Sequence, residues 1–246
     1  MSAIRTPPES PARDHRFEVK ERWRELANYG DDDPRKEHEF FHRQMNEEIN
    51  GLENSARCLS DFPEADWDLR MAIARQCSDE ARHIVMFRRI FERRGGTVGQ
   101  YPVINFQYRI ISSLDNLVGR LAVQNRSFEA DGIDAIRYAV DEARAKGDDE
   151  LAWLFDAQLA DEINHVRFAN EWIHKLVARQ PVLALRVARA LHEASIAFEA
   201  AMEGGTAVKY EVDATVRGEA GFDAGEVKVA FEVAAATRRA QERRQV

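Results

Sequence analysis

The chain has little cysteine, proline or glycine, no long apolar run and no excess of positive charge, and each shortage excludes a class of protein. Cys58 and Cys77 are its only cysteines, too few for a disulfide framework or a four-thiolate metal site. A reduced compartment fits, and a cytoplasmic protein is expected. No uninterrupted apolar stretch approaches the roughly 20 residues that cross a bilayer, and the N-terminus lacks the apolar core of a signal peptide. A formal net charge of −8 argues against a broad polyanion-binding face, so neither nucleic acid nor membrane is an expected partner. With 7 prolines and 13 glycines in 246 residues, little interrupts regular structure. Only 207–216 alternates, and weakly, so no strand is predicted.

What is present is a helical pattern. Apolar residues make up 44% and charged residues 32%, and the spacing of the apolar residues predicts an all-α fold. Residues 1–16 read as a disordered tail and 17–203 as a helical bundle. Residues 204–246 read as a C-terminal loop and helix packing on that bundle. Phe17 to Tyr29 reads as a short helix. Long helices are expected over Pro34–Leu59, Ala65–Arg94 and Asp148–Arg179. A third helix should start near Asn105 and run towards Glu129, with a break at Asp131-Gly132 and an amphipathic helix over Asp134–Ala145. Further helices are expected over Val182–Met202 and from Glu226, the last ending in basic residues 238–244.

Two stretches carry the chemistry, Asp79-Glu80-Ala81-Arg82-His83 and Asp161-Glu162-Ile163-Asn164-His165. In each, a glutamate and a histidine stand three apart, one helical turn on the same face. Each is preceded by another glutamate on an apolar face, Glu48 by 32 residues and Glu129 by 33. On the first long helix Phe41, Met45, Leu52, Ala56 and Leu59 lie within about 80° of Glu48, whereas Glu47 and Glu53 fall farther round. The layout predicts one site built twice, with a Glu from each of two helices and Glu-x-x-His from each of two others. Carboxylates gathered in an apolar seam raise one another's pKa and resist burial as ions, so these positions imply metal. Oxygen and imidazole ligands without thiolate suit two iron ions, with manganese possible. Asp79 and Asp161 are each expected to orient the opposite half's histidine by accepting its free ring N–H. Cys77 and Asn125, one turn before Glu80 and Glu129, are weighed as pocket lining, with Cys77 more plainly a small core residue.

Glu-x-x-His alone is a weak signal. It recurs at Glu39/His42 and Glu171/His174, both half a turn out of phase with the expected ligands. His38-Glu39-Phe40-Phe41-His42 also fits the zinc-protease pattern His-Glu-x-x-His. Its glutamate points away from the seam, and no third ligand stands out, so that reading is set aside.

At these residues the chain resembles the ferritin-like superfamily, "DEARH" being similar to the Asp-Glu-x-Arg-His signature of di-iron oxygenases. Residues 38–178, from "HRQMNEEINGLENSARCL" to "DEINHVRFANEWIHKL", resemble more closely an uncharacterised ferritin-like family known only as a domain of unknown function. A weaker match lies around Arg217 to Gly225. The resemblance implies a ferritin-like four-helix bundle with added helices at both ends. It also implies Glu48, Glu80, His83, Glu129, Glu162 and His165 as ligands, the set that helical phase selects. The family's first helix carries two glutamates five apart, matched by Glu48 and Glu53, which leaves Glu53 as an alternative ligand. Relatives in the superfamily include tRNA hydroxylases, arylamine N-oxygenases, manganese catalases and ferritins, so the fold does not choose the reaction.

The expected function is a di-iron oxygenase or oxidase. It would use dioxygen to oxidise a small organic substrate by hydroxylation, N-oxygenation or oxidative cleavage. No rubredoxin-like cysteine set is present, so electrons would come from an external donor or from the substrate. A homodimer is the assembly to test. The alternatives are non-catalytic iron storage, a di-manganese catalase and, against the acidic charge balance, a tRNA hydroxylase.

Overall fold

The computed structural model describes residues 14–30, 32–202 and 210–244. The expected N-terminal tail lies outside the described residues up to 13, as do 203–209 of the turn-rich stretch and the basic side chains at 238–244. Among the described residues the fold is all-α, apart from one short parallel pair of two-residue strands, β1 (Val19–Lys20) and β2 (Val103–Ile104). The chain divides into two compact units, Met1–Asp115 with Glu193–Gly204, and Asn116–His192 with Gly205–Val246.

The first unit is built on a helical hairpin, α1 (Arg35–Asp61) and α2 (Trp67–Arg93). Their connection over residues 62–66 is too short for anything but an antiparallel pair. Pro63 follows the end of α1, and Arg70 from α2 donates to the carbonyls of Leu59 and Phe62, each at 2.9 Å. Arg70 thus satisfies one of the last carbonyls of α1 and that of its C-cap, Phe62. Helix α2 stops in a Schellman turn: Gly95 takes φ +91°, and the Gly96 N–H donates to Phe91 O at 2.9 Å. Leu69, Ile73, Phe87, Ile90 and Phe91 of α2 are buried with Phe41 and Met45 of α1.

Three expectations are corrected here. The helix predicted over Phe17–Tyr29 is instead β1 followed by a single 3-10 turn, Trp23–Glu25. Val103 N donates to Glu18 O at 2.8 Å and Arg43 stacks on Trp23 at 5.0 Å, so tertiary contacts outweigh a weak helical pattern. Ala56 is exposed rather than in the seam, while Asn46, Asn50, Asn54 and Ser55 are buried. Helix α1 has a second neighbour at β2, where Asn46 donates to Ile104 O at 2.8 Å, and that contact turns its polar face inward. The long third helix is divided into α3 (Phe106–Ser112) and α4 (Leu117–Val123). Asn116 caps α4 by accepting from Gly119 N at 2.8 Å, a polar start that breaks the run.

The second unit holds α4, a π-helical segment over Gln124–Glu129, α5 (Ala130–Ala145) and α6 (Asp149–Arg179). No break occurs at Asp131-Gly132. Helix continues through it, and the irregularity lies just before, in the π turn. Gly132 meets nothing within 4 Å, so an exposed helical glycine is tolerated there. Gly147, at φ +71°, closes α5, and Asp148 caps α6 by accepting from Leu151 N at 3.1 Å. Helix α7 (Leu183–Ala201) belongs to the second unit up to His192 and to the first from Glu193. After it come α8 (Ala214–Glu219), which packs on α5 and α6, and α9 (Ala224–Arg244). The weakly alternating stretch therefore becomes helical from Ala214. No helix is long and apolar enough to cross a membrane, among the described residues.

Candidate metal centre

Each unit gathers one triad, buried in the first and buried except for half-buried Glu129 in the second. In the first, Glu48 comes from α1 and Glu80 with His83 from α2, at 7%, 2% and 0% exposure. One ligand atom of each lies within 4.8 Å of the others. His83 Nδ1 stands 3.1 Å from Glu48 Oε2 and 3.5 Å from Glu80 Oε2, so Nδ1 is the ring nitrogen turned towards the carboxylates. Gln76, one turn before Glu80, donates from Nε2 to Glu80 Oε1 at 3.2 Å. The helices approach closely at this level: a Cβ on Gly51 would lie 2.9 Å from Glu80 Oε1. Glycine at 51 is what leaves room for the carboxylate.

In the second unit the triad is Glu129, at the end of the π segment, with Glu162 and His165 of α6. Their ligand atoms also lie within 4.8 Å of one another. His165 Nδ1 is 3.2 Å from Glu162 Oε2, the same nitrogen facing the same way. Both oxygens of Glu129 accept side-chain amides, Oε1 from Gln124 at 3.2 Å and Oε2 from Asn125 at 2.7 Å. In an α-helix, residues five apart are rotated about 140° and cannot meet. The i→i+5 turn of the π segment stacks them, which is how Gln124 reaches Glu129.

These are acidic and histidine clusters that could hold a metal ion. Two carboxylates and an imidazole this close, mostly buried, repel and lose hydration when ionised, and a divalent cation removes both penalties. The donors are oxygen and imidazole nitrogen with no thiolate, a set that suits iron or manganese.

The other candidate residues fall as follows. Glu53 is half-buried and in neither triad; its charge acts on the Cys77 thiol. That thiol is pushed up to about 11, first by burial and then by the charge of Glu80, so it stays protonated. Asp79 is buried and 3.5 Å from both Arg75 and Arg82, and Asp161 is half-buried. Glu47 pairs with Arg43 at 3.2 Å. Glu171 and His174 are exposed. The His-Glu-x-x-His pattern serves packing: Glu39 pairs with Arg43 at 3.0 Å, and His42 Nε2 accepts from Gly99 N at 2.8 Å. Rings of Phe17, Phe91 and Tyr101 surround His42, and burial pulls its pKa down to about 4.

Gln76 and Gln124 were not anticipated. Gln76 carries a signal, because Gln-x-x-Asp-Glu-x-x-His occurs at 76–83 and again at 158–165. Gln124 carries none, since ideal helical phase points it elsewhere.

Residues 2–228 match the model of a family described as a protein of unknown function, DUF455. The chain belongs to the DUF455 family. No curated protein and no solved structure matches it. Membership brings no activity with it, and what this DUF455 chain does has to be argued from the two triads.

Proposed function

We propose that the two triads hold a pair of metal ions, iron first and manganese second, in a ferritin-like protein. In this reading the protein is a di-iron oxidoreductase that uses dioxygen to oxidise a small organic substrate. The observation that carries the reading is the repetition of a largely buried Glu, Glu-x-x-His triad, once in each unit. Each triad alone offers two carboxylates and one imidazole, few ligands for a hard cation. Together they offer four carboxylates and two imidazoles, the donor set of the carboxylate-bridged bundles.

Bound iron would supply the redox chemistry towards dioxygen. The chain's own residues do the rest. Glu48, Glu80, His83, Glu129, Glu162 and His165 hold the metal. Gln76, Gln124 and Asn125 orient the three glutamate oxygens that they touch. With a metal on the inward Nδ1 of each histidine, Nε2 would carry the proton, and Asp79 and Asp161 are the carboxylates proposed to accept it. The substrate is a small molecule, and electrons come from a separate donor or from the substrate itself.

The test loads the protein with ferrous iron without oxygen, measures metal per chain, then records the absorption spectrum on mixing with oxygen. Wild type is compared with Glu80→Ala and Glu162→Ala. Two irons per chain, both lost in either variant, with an oxygen-dependent visible band in wild type, supports one shared oxygen-activating site. Loss of a single iron per variant would mean two separate sites. No bound iron would overturn the metal reading. Iron without oxygen-dependent absorption, together with a closed many-chain shell by light scattering, would move the reading to storage. Oxygen release from peroxide by the manganese form would move it to a catalase.

A further inference from the structure

The π segment that ends on Glu129 is tied down from outside its own helix. Arg126, at its middle, donates to Asn170 Oδ1 on α6 and to Glu226 Oε1 at the start of α9. Its guanidinium also lies 4.8 Å over the ring of Phe222. Those partners are themselves fixed. Asn170 donates to Ala220 O at 2.9 Å, and Arg167 donates to Glu219 O at 2.8 Å. Asp223 and Glu226 cap α9 reciprocally, Asp223 N to Glu226 Oε2 at 3.0 Å and Glu226 N to Asp223 Oδ1 at 2.8 Å. Arg217, whose guanidinium lies 5.3 Å from the centroid of the Phe222 ring, pairs with Asp134 at 2.7 Å on the helix that continues from Glu129. All of these residues belong to the second unit.

A π turn is rare and gives way readily to the α register, so one that persists has to be held by its surroundings. Reversion to α would rotate Gln124 away from Glu129 and turn the Glu129 carboxylate relative to Glu162 and His165. We propose that Arg126 is a positioning residue for Glu129, and that the C-terminal segment Asp213–Val227 is the clamp that holds Arg126 and, through it, the π register. This deepens the metal reading and rests on it for its consequence, but the register itself can be measured without metal.

The experiment uses the full chain and the variants Arg126→Ala, Arg126→Lys and Glu226→Gln. In metal-free protein, amide hydrogen exchange is followed over 124–130 and over α6 as an internal reference. Arg126→Ala should accelerate exchange over 124–130 while protection in α6 persists, and Arg126→Lys should not restore it, because lysine offers neither the fork nor the stacking plane. Calorimetric titration with Mn²⁺ should show affinity weaker by about tenfold or more in Arg126→Ala and Glu226→Gln. Glu226→Gln should add nothing in the Arg126→Ala background if it acts through Arg126. Unchanged exchange over 124–130 in Arg126→Ala would overturn the proposal. So would faster exchange with unaltered Mn²⁺ affinity, which would leave the clamp purely structural. If wild type binds no Mn²⁺ and no Fe²⁺, the metal reading fails, and the exchange data still decide whether Arg126 holds the register.

Discussion

Gly51→Ala separates stability from metal binding, leaving the first nearly unchanged and weakening the second. Gly51 lies inside α1 with no positive φ, so alanine should gain helix propensity of about 1 kcal/mol. The new Cβ would sit 2.9 Å from Glu80 Oε1 and 3.0 Å from its Cδ. Contacts that short force the carboxylate to move by some tenths of an ångström, away from the position where His83 and Glu48 meet it. The two effects nearly cancel in folding, so the metal-free variant should melt within about 4 °C of wild type. Metal affinity has no such compensation: displacing a ligand or its support costs about 10- to 100-fold. Gly132→Ala is the control, because nothing lies within 4 Å of its Cβ, and it should gain stability with unchanged affinity. Thermal unfolding by circular dichroism and Mn²⁺ titration on the three proteins give both numbers. Wild-type affinity in Gly51→Ala would refute the argument that Glu80, in this place, holds metal.

Three further predictions concern the scaffold. His42 is buried and its pKa lies near 4 instead of 6.5, because burial disfavours its charge. Its contribution should be complete above about pH 6.5 and be lost as the pH falls to about 4, by at most about 3 kcal/mol; denaturant titrations should show a smaller loss over that window in His42→Phe. Asp134→Ala should destabilise by about 3 kcal/mol, because it leaves buried Arg217 with only the exposed Asp131, whereas Asp131, whose side chain is 65% exposed, should cost less than about 1 kcal/mol when replaced by alanine. Gly96→Ala would place a Cβ 2.0 Å from the buried Phe91 ring, and overpacking of about 3 kcal/mol should appear as a lower denaturation midpoint.

Helical periodicity was legible wherever an apolar stripe runs between clear ends. The bounds of α2 and α6 follow from an apolar stripe closed by Gly95-Gly96 and by Pro181, and the helical state of both is evident in the chain itself. Legibility failed where a second neighbour or a backbone irregularity decides the outcome. Nothing in the pattern of α1 announces that its asparagine face is buried until β2 offers it a carbonyl, and Ala56 reads as core until that rotation is known. The candidate ligands were selected by residue type and phase, because buried glutamate is rare without a partner. The π turn before Glu129 could not be read, since its hydrogen-bond pattern depends on contacts up to 100 residues away, such as Arg126 with Glu226. Gln124 was missed for that reason alone.

The two triads repeat in ligand type but not in support, and this difference tests whether they share their metals. The Gln-x-x-Asp-Glu-x-x-His runs at 76–83 and 158–165 are near copies, but the glutamates that complete them are held differently. Glu48 stands on regular α-helix, beside a crossing so close that Gly51 is needed, whereas Glu129 closes a π turn and depends on Arg126. Gly51→Ala therefore perturbs the first triad and Arg126→Ala the second, through unrelated contacts. If each triad binds its own ion, the two substitutions should act on different binding steps and their free-energy effects should add within about 0.5 kcal/mol in the double variant. If carboxylates bridge a shared pair, each should weaken both steps and the effects should be coupled by more than that. An additive double variant would refute the shared site even if each single variant loses affinity as expected.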